Sequence, residues 1–125
     1  MEIAAGPYQE GGAARFTGQV WLSPGLPRAG DTGMTVVHFA AGARTHWHAH
    51  PGGQLLYGVS GRGRVRSRGE PGHVLTPGDV VYIPPGEWHY HGGGPDSPMA
   101  HLSVSMGGPP EWADPVTDQE YDEGF

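Results

Sequence analysis

The sequence has no cysteine, little charge and no long apolar run. Without cysteine it can form no disulfide, no thiolate metal site and no cysteine nucleophile. No apolar stretch approaches the length of a transmembrane helix, and residues 1–8 lack the basic and apolar regions of a signal peptide. The formal net charge of −6 argues against nucleic acid as a partner. We therefore expect a soluble cytoplasmic protein without a membrane or nucleic-acid partner.

Glycine and proline are abundant instead, at 23 and 13 of 125 residues. They stand between short apolar runs, which is typical of an all-β sandwich or barrel with many tight turns. The length suits one domain. We predict an N-terminal arm over 1–15, a barrel over 16–106 and a C-terminal tail over 107–125. The end of the tail, 118–125, is expected to be either a short helical turn or disordered.

Four arginines, Arg62, Arg64, Arg66 and Arg68, alternate along one stretch. Side chains two apart lie on the same face of a β-strand, so all four are predicted to share one face. A solvated sheet face is the simplest interpretation. An anion-binding or dimer-contact surface is the alternative.

Histidine carries the functional signal. His46, His48 and His50 alternate and would share one strand face. A hairpin at 51–53 would return Gln54 beside them, and a second hairpin could bring His89 from another strand pair. Three imidazoles and one amide oxygen are a plausible partial shell for a divalent first-row metal, with positions left for water or substrate.

Two spaced patterns resemble the two motifs of the cupin family. The first is Gly42-x5-His48-x-His50-x3-Gln54-x6-Gly61, and the second is Gly78-x5-Pro84-x-Gly86-x2-His89-x3-Gly93. The resemblance implies an all-β, single-domain cupin jelly-roll, or double-stranded β-helix, barrel. It also implies a metal inside one end of the barrel, held by His48, His50, Gln54 and His89.

The sequence departs from the usual motifs at two positions. Gly93 stands where asparagine is usual, and this change is expected to affect only a turn. Gln54 stands where most cupins have a glutamate ligand, so the full charge of the metal would remain on neutral ligands. Such a site should resist oxidation of the metal, because added charge in a barrel interior is costly. It should also be a stronger Lewis acid, which favours lyase or acid–base chemistry over redox chemistry.

A closer resemblance covers about residues 16–121. The segments 42–54, 77–81, 87–92, 100–102 and 116–121 are similar to small bacterial cupins that include manganese-dependent hydroxynitrile lyases. This resemblance implies one divalent metal ion per chain, manganese first, with iron, nickel, zinc or cobalt as alternatives. It also implies a small-molecule substrate and a homodimer or homotetramer.

Two further histidines are candidate catalytic residues. His101 shares its strand face with Ser103 and Ser105, and the resemblance makes it the candidate base. Its alternative role is a structural hydrogen bond in the core. His91 is two residues from His89, so it is predicted on the same strand face, where it would orient ligands or bind substrate. His46 is expected at the polar rim of the barrel, with a role as an additional ligand as the alternative.

The candidate substrate-binding residues are Thr35, Val37, Phe39, Thr45 and Met106. Alternation along their strand places Thr35, Val37 and Phe39 on one face, which is predicted to line the barrel interior, and Met106 would help to set the substrate size. Thr45 is a candidate hydrogen-bond donor near the site, although it alternates with His46 and would point to the opposite face. Trp47, Trp88 and Tyr90 alternate with the ligands, so they should pack outward as core or as a dimer contact.

Three functions remain open at this stage. The favoured one is a metal-dependent lyase that acts on a small hydroxylated or carbonyl compound, with hydroxynitrile-lyase-like cleavage or formation of a C–C bond. The second is a metal-dependent dioxygenase or another enzyme of oxidative C–C or C=C cleavage. The third is a non-catalytic small-molecule-binding barrel with a structural metal. One fold supports many chemistries, so the geometry and chemistry of the site are needed to distinguish these functions.

Overall fold

The computed structural model describes residues 1–26 and 30–125. The sequence, with two prolines between residues 23 and 33, predicts a loop over that range, and the middle of this loop lies outside the described residues. The described chain is nearly all β-structure, as predicted. Its strands are β1 Gln9–Glu10, β2 Phe16–Thr17, β3 Val20–Leu22, β4 Gly33–Phe39, β5 Arg44–Thr45, β6 His48–Ala49, β7 Gln54–Gly61, β8 Gly63–Ser67, β9 Gly72–Leu75, β10 Val80–Ile83, β11 His89–Gly93, β12 Met99–Ser105 and β13 Glu111–Trp112. One helix, α1 Asp118–Asp122, follows.

The strands form two antiparallel sheets that pack face to face. The first sheet has the order β1-β3-β4-β12-β7-β10. In the second sheet, β11 pairs with β5 and β6 on one side and with β8 on the other, and β9, β2 and β13 extend its edges. Neighbours along the chain are often in different sheets, which lets inward-pointing side chains of both sheets meet in one interior.

The interior is divided between an apolar part and a polar part. Apolar side chains fill most of the space between the sheets; they are Val20, Val37, Phe39, Ala43, Leu56, Val65, Leu75, Ile83 and Met99. The polar part contains five buried histidines, His48, His50, His89, His91 and His101. Because burying polar groups without partners is costly, this concentration of imidazoles marks the candidate site.

The C-terminal segment covers the outer face of the second sheet. Tyr121 and Val116 pack on Trp47 and Tyr90. Of the two roles predicted for these outward-pointing aromatic residues, core or dimer contact, the structure therefore shows the core role. A capping box starts α1: the Thr117 hydroxyl accepts the Glu120 N–H and the Glu120 carboxylate accepts the Thr117 N–H. Strands β1 and β13 likewise pair with the barrel, although they lie outside the limits predicted for it.

The arginine stretch is not simply a solvated face. Arg64 donates to the carbonyl of Tyr121 at 2.9 Å, and Arg66 donates to that of Glu120 at 3.1 Å. Arg44 joins them from β5 and donates to the Val116 carbonyl at 2.7 Å. The prediction was wrong for Arg64 and Arg66, because the short C-terminal helix supplies carbonyls that a strand pattern does not reveal.

No helix in the described ranges has the length and hydropathy needed to cross a membrane.

Candidate metal centre

Three histidines converge at one end of the barrel. His48 on β6 is the direct cross-strand partner of His89 on β11. His50 follows β6, and one ring nitrogen from each of the three residues lies within 4.8 Å of the other two. All three side chains are buried. The structure therefore brings together the three histidines that the sequence predicts as ligands, since strand alternation and cross-strand pairing both place them on the inner face.

The turn at 51–53 brings the fourth predicted ligand to the same point. Gly53 has φ 88°, and a Cβ there would lie 2.9 Å from the Ile83 carbonyl oxygen, so glycine suits the position. Its N–H donates to the His50 carbonyl, and β7 begins at the next residue with Gln54 pointing inward. Gln54 Oε1 lies 2.8 Å from His89 Nε2.

Backbone carbonyls fix the tautomers of two of the histidines. His48 Nδ1 lies 2.9 Å from the carbonyl oxygen of His46, and His89 Nδ1 lies 2.8 Å from that of Glu87. A carbonyl only accepts, so each neutral imidazole carries its proton on Nδ1 and has a lone pair on Nε2. This is the arrangement in which backbone contacts orient metal-binding histidines.

The contact between His89 and Gln54 needs a cation or a turned amide. In neutral His89 the Nε2 lone pair faces the Oε1 lone pair at 2.8 Å, and neither atom carries a proton. A metal ion bound by both atoms resolves this repulsion. Rotation of the Gln54 amide by half a turn also resolves it, because the amide N–H would then donate to His89 Nε2. Ser103 Oγ, which accepts from Gln54 Nε2 at 2.8 Å, can accommodate this rotation because a hydroxyl can donate to Oε1 instead. The donor set therefore fits a divalent metal held by His48, His50, Gln54 Oε1 and His89.

Burial keeps these imidazoles neutral. Desolvation lowers the pKa of His50 to about 4 and that of His89 to about 4. The pKa of His48 is held well below its ordinary value, first by burial and then by the neighbouring imidazole of His89. Both ring nitrogens of His50 are buried without a hydrogen-bond partner in the described part of the chain. Neutral imidazole is the form that binds a metal.

A cavity of about 140 Å³ opens beside the cluster. His48, His50 and Gln54 form one side of it. The rest of its wall is Phe16, Leu22, Thr35, Val37, Thr45, His91, Ser103, Ser105, Pro110 and Trp112. Three larger grooves among the described residues lie elsewhere on the molecule, at about 200, 460 and 660 Å³, but none of the four predicted ligands lines them. The donor set, not the size, identifies the 140 Å³ cavity as the candidate site.

The predicted substrate-binding residues divide into two groups. Thr35, Val37 and Thr45 line the cavity. Phe39 is buried behind it, with its ring centroid 5.8 Å from that of His91 and 5.5 Å from that of His101. Met106 lies past the end of β12, where its backbone pairs with the 51–53 turn. Neither Phe39 nor Met106 is among the described residues that line the cavity.

A bend at Trp47 explains why Thr45 rather than His46 faces the cavity. The sequence predicts one alternating strand over 45–50, but the structure has two short strands, β5 and β6, with His46 and Trp47 between them, so that Thr45 and His48, three residues apart, both face inward. The alternation therefore shifts by one, so the prediction that His46 shares the face of His48 was wrong. His46 is buried outside the cluster of nitrogens, and its carbonyl orients His48. Thr45 Oγ1 accepts the N–H of His91 at 3.3 Å.

The two candidate catalytic histidines are in contact, but only one reaches the cavity. His91 lines it, whereas His101 is not among its described lining residues. His101 Nε2 lies 2.8 Å from His91 Nδ1, so one of these nitrogens donates to the other. Burial lowers the pKa of His101 to about 4 and holds that of His91 well below its ordinary value. Both rings are therefore neutral at pH 7, and His101 contacts His91 from the side away from the cavity.

Sequence reasoning missed four residues of the cavity wall, which are Phe16, Leu22, Pro110 and Trp112. Trp112, on β13, stacks on the imidazole of His48 with ring centroids 4.7 Å apart and an interplanar angle of 22°. Its indole N–H is buried without a partner among the described residues. The guanidinium of Arg15 lies 5.5 Å from the ring centroid. The only signal was a lone aromatic residue after two prolines, in a segment that we had predicted to be a tail.

The architecture and the donor set agree with the comparison to known proteins. A family model described as the cupin domain matches residues 35–105, which is more than half of the chain. The chain belongs to the cupin family. This cupin is 40% identical over 118 residues to a protein named (R)-mandelonitrile lyase from Granulicella tundricola, covering 90% of this chain and 89% of the other.

Solved structures give the same result. A cupin-like protein from Thermotoga maritima is 42% identical, with a TM-score of 0.86 and coverage of 92% of this chain and 91% of the other. A cupin 2 conserved barrel domain protein from Rhodopseudomonas palustris is 21% identical, with a TM-score of 0.68 and coverage of 94% of this chain and 79% of the other. At this identity the similarity concerns the fold alone. The predicted family and jelly-roll fold of this cupin are thus confirmed. Its three-histidine cluster is compatible with a metal site.

Proposed function

We propose that this protein is a divalent-metal-dependent lyase that cleaves or forms the C–C bond of a small hydroxynitrile. The observation that carries the proposal is the pair His91–His101, a neutral base with its own hydrogen-bond partner, at the wall of the cavity that holds the metal ligands. The 40% identical protein named (R)-mandelonitrile lyase supports the same class of substrate.

The ligand set favours an ion that stays divalent. His48, His50, His89 and Gln54 are all neutral, so no ligand charge would offset a third positive charge on the metal. When bound, a divalent cation would supply Lewis acidity toward a substrate oxygen. Manganese is the ion we propose first, with iron, nickel, zinc or cobalt as alternatives. The neutral donor set speaks against the dioxygenase alternative.

His91 is suited to take the hydroxyl proton. With Nδ1–H donated to His101 Nε2, its Nε2 has a free lone pair, and that atom is buried without a partner in the described ranges. Proton transfer from the substrate hydroxyl to Nε2 lets the C–C bond break. Its electron pair leaves on the nitrile carbon as cyanide, and an aldehyde forms. The proton then returns to cyanide, which restores neutral His91.

His101 acts as a positioning residue in this scheme. Its Nε2 accepts from protonated His91, which stabilises an imidazolium that burial alone disfavours. Phe39 packs on both rings and holds their relative orientation. The base first predicted as His101 is therefore proposed as His91, one imidazole closer to the cavity.

The cavity limits the substrate to a small compound. A closed apolar cavity of about 150 Å³ can admit benzene, so about 140 Å³ suits a compound with one ring. Apolar walls from Phe16, Leu22, Val37 and Trp112 suit its hydrocarbon part. Thr35, Thr45 and the metal ligands offer polar contacts on the other side, as expected for a small-molecule site.

The test is cleavage of racemic mandelonitrile by protein loaded with Mn²⁺, followed by release of benzaldehyde and by the enantiomer left over. We expect enantioselective cleavage that is lost in His89→Ala. In His91→Ala the rate should fall by about 10²–10⁴-fold while metal content stays unchanged. The matched control is His73→Ala, because His73 is exposed on β9.

Two results would contradict the proposal. One is full activity in His91→Ala with metal bound, since another group would then take the proton. The other is a fully loaded protein that neither cleaves nor forms hydroxynitriles. Consumption of dioxygen coupled to turnover would favour the dioxygenase instead.

A further inference from the structure

Polar atoms without a partner in the wall of the metal cavity indicate which contacts a ligand must supply. Among the described residues that line the cavity, His50, His91 and Trp112 carry buried side-chain nitrogens without a hydrogen-bond partner. Leaving a buried donor without a partner is costly, so such a group in a folded protein requires an explanation. Metal binding uses His50 and the proposed proton transfer uses His91, but neither gives a role to the indole N–H of Trp112.

The hydroxyl groups of the same wall already have partners within the chain. Thr35 donates to a backbone carbonyl at 3.0 Å, and Thr45 accepts a backbone N–H at 3.3 Å. Ser103 accepts from the Gln54 amide at 2.8 Å. The indole N–H of Trp112 is therefore a donor in the described part of the wall that a bound molecule can engage without breaking a contact of the fold.

Contacts on several sides hold the indole ring of Trp112 in place. The pairing of β13 with β6 sets Trp112 opposite His48, and the two rings stack with their centroids 4.7 Å apart. The ring of Phe16 makes a T-shaped contact with a centroid distance of 6.1 Å, and the Arg15 guanidinium lies 5.5 Å from the ring centroid. A donor that is fixed before the reaction stabilises developing charge without having to reorient.

We propose that the indole N–H of Trp112 donates to the nitrile nitrogen of the substrate and to the cyanide that leaves. This inference rests on the proposed function, which assigns the hydroxyl proton to His91 and the substrate oxygen to the metal centre. The nitrile nitrogen is the acceptor that remains on a hydroxynitrile, and an indole N–H can only donate. Trp112 is thus a substrate-binding residue that selects for a nitrile.

The hydrogen bond from Trp112 strengthens as the C–C bond breaks. The electron pair of that bond moves to the nitrile carbon, and the negative charge is shared with the nitrogen to which Trp112 donates. A hydrogen bond to a charged acceptor is stronger than one to a neutral acceptor. The indole keeps its proton, and His91 returns the hydroxyl proton to the cyanide carbon. The contact therefore stabilises the transition state more than the bound substrate, and its loss should lower kcat more than it raises KM.

The experiment compares variants of Trp112 in one assay with turnover and in one without it. Trp112→Phe removes the N–H and one ring, whereas benzothienylalanine at the same position keeps both rings and has sulfur in place of the N–H. The matched control is Trp21→Phe, because Trp21 lies on β3 and lines the groove of about 660 Å³ rather than the metal cavity. Fold and metal content are followed by circular dichroism and elemental analysis.

The first assay is mandelonitrile cleavage by protein loaded with Mn²⁺. The second is the infrared C≡N stretching band of bound phenylacetonitrile, which has no hydroxyl group and cannot be cleaved. The position of this band depends on whether the nitrile nitrogen accepts a hydrogen bond.

We expect kcat/KM to fall about 10–100-fold in both Trp112 variants, mainly through kcat, with fold and metal content unchanged. The C≡N band should differ between the native protein and both Trp112 variants. Trp21→Phe should match the native protein in both assays. Should Trp112→Phe lose its fold, the benzothienylalanine protein gives the same comparison with the shape of the side chain preserved.

The infrared assay separates this inference from the proposed function. A C≡N band that depends on Trp112, in a protein that cleaves no hydroxynitrile, would contradict the lyase proposal and support the nitrile contact. Native cleavage rates in the benzothienylalanine protein would overturn the role of Trp112. So would a C≡N band at one position in the native protein and both variants, or a native protein that does not bind phenylacetonitrile.

Discussion

The affinity for the metal should persist to lower pH than it would if the ligands had the ordinary histidine pKa. The pKa is lowered to about 4 for both His50 and His89, and burial is the main cause. An imidazole with a lowered pKa stays neutral to lower pH, so protons compete with the metal only near pH 4 rather than from pH 6.5 downwards. Affinity is therefore expected to hold from about pH 7 to about pH 5 and to fall only below that.

The size of the difference follows from the two pKa values. At about pH 5 a histidine of pKa 6.5 is about 97% protonated, and two such ligands would lower the apparent affinity by about 10³-fold. With pKa values of about 4, each ligand is only about 10% protonated, and the joint loss stays below about 1.5-fold. His48 shifts in the same direction and adds to the contrast.

The assay is titration of metal-free protein with Mn²⁺ in non-coordinating buffers, with free Mn²⁺ read by electron paramagnetic resonance. The folded fraction is checked at each pH by circular dichroism. A dissociation constant that changes less than about twofold between pH 7 and pH 5 is the expected result. A loss of about 10³-fold in protein that is still folded would refute the reasoning, because the ligands would then titrate as if exposed to water.

Three further predictions follow from the contacts around the site. Ser103→Ala should weaken Mn²⁺ binding by about 10–100-fold in the same titration without unfolding the protein, since Ser103 Oγ fixes the Gln54 amide; unchanged affinity would count against that role. In urea unfolding, Tyr121→Ala should lower the free energy of unfolding by about 3–5 kcal/mol, because it removes a buried ring. Tyr121→Phe should lower it by only about 1 kcal/mol, through loss of the 2.7 Å hydrogen bond to the Gly93 carbonyl, and equal losses in the two variants would contradict a role of the ring in packing. The metal-free fold should lose stability as pH falls from about 6.5 to about 4, because the unfolded chain binds protons first. His101 alone would contribute up to about 3 kcal/mol to this loss, and a thermal midpoint that rises over this range would contradict the sign.

The convergence of the four candidate ligands could be predicted because most of their positions depend on local rules. Alternation along a strand places His48 and His50 on one face, and the glycine turn at 51–53 returns the chain at Gln54. His89 needed a long-range pairing, β6 with β11, and only the second spaced motif indicated it. The same rules failed at His46, where the bend at Trp47 inserts a residue and shifts the alternation.

The short helical turn at the end of the C-terminal segment could be predicted as one of two alternatives, and α1 confirms it, but the packing of the segment could not be predicted because distant contacts create it. A two-residue strand and a five-residue helix are too short to show periodicity. Their positions depend on Arg44, Arg64 and Arg66, which donate to backbone carbonyls 54 to 72 residues away in sequence. Trp112 reaches the metal cavity only through this segment, so its stacking on His48 left no trace in the spacing of the motifs.

The most direct test of the metal centre is elemental analysis of protein purified without a chelating tag, beside the Gln54→Ala/His89→Ala variant. We expect about one divalent metal ion per chain in the native protein and its loss from a variant that remains folded. Native protein that takes up no metal under any loading condition would contradict the ligand assignment. So would a variant that retains the native metal content.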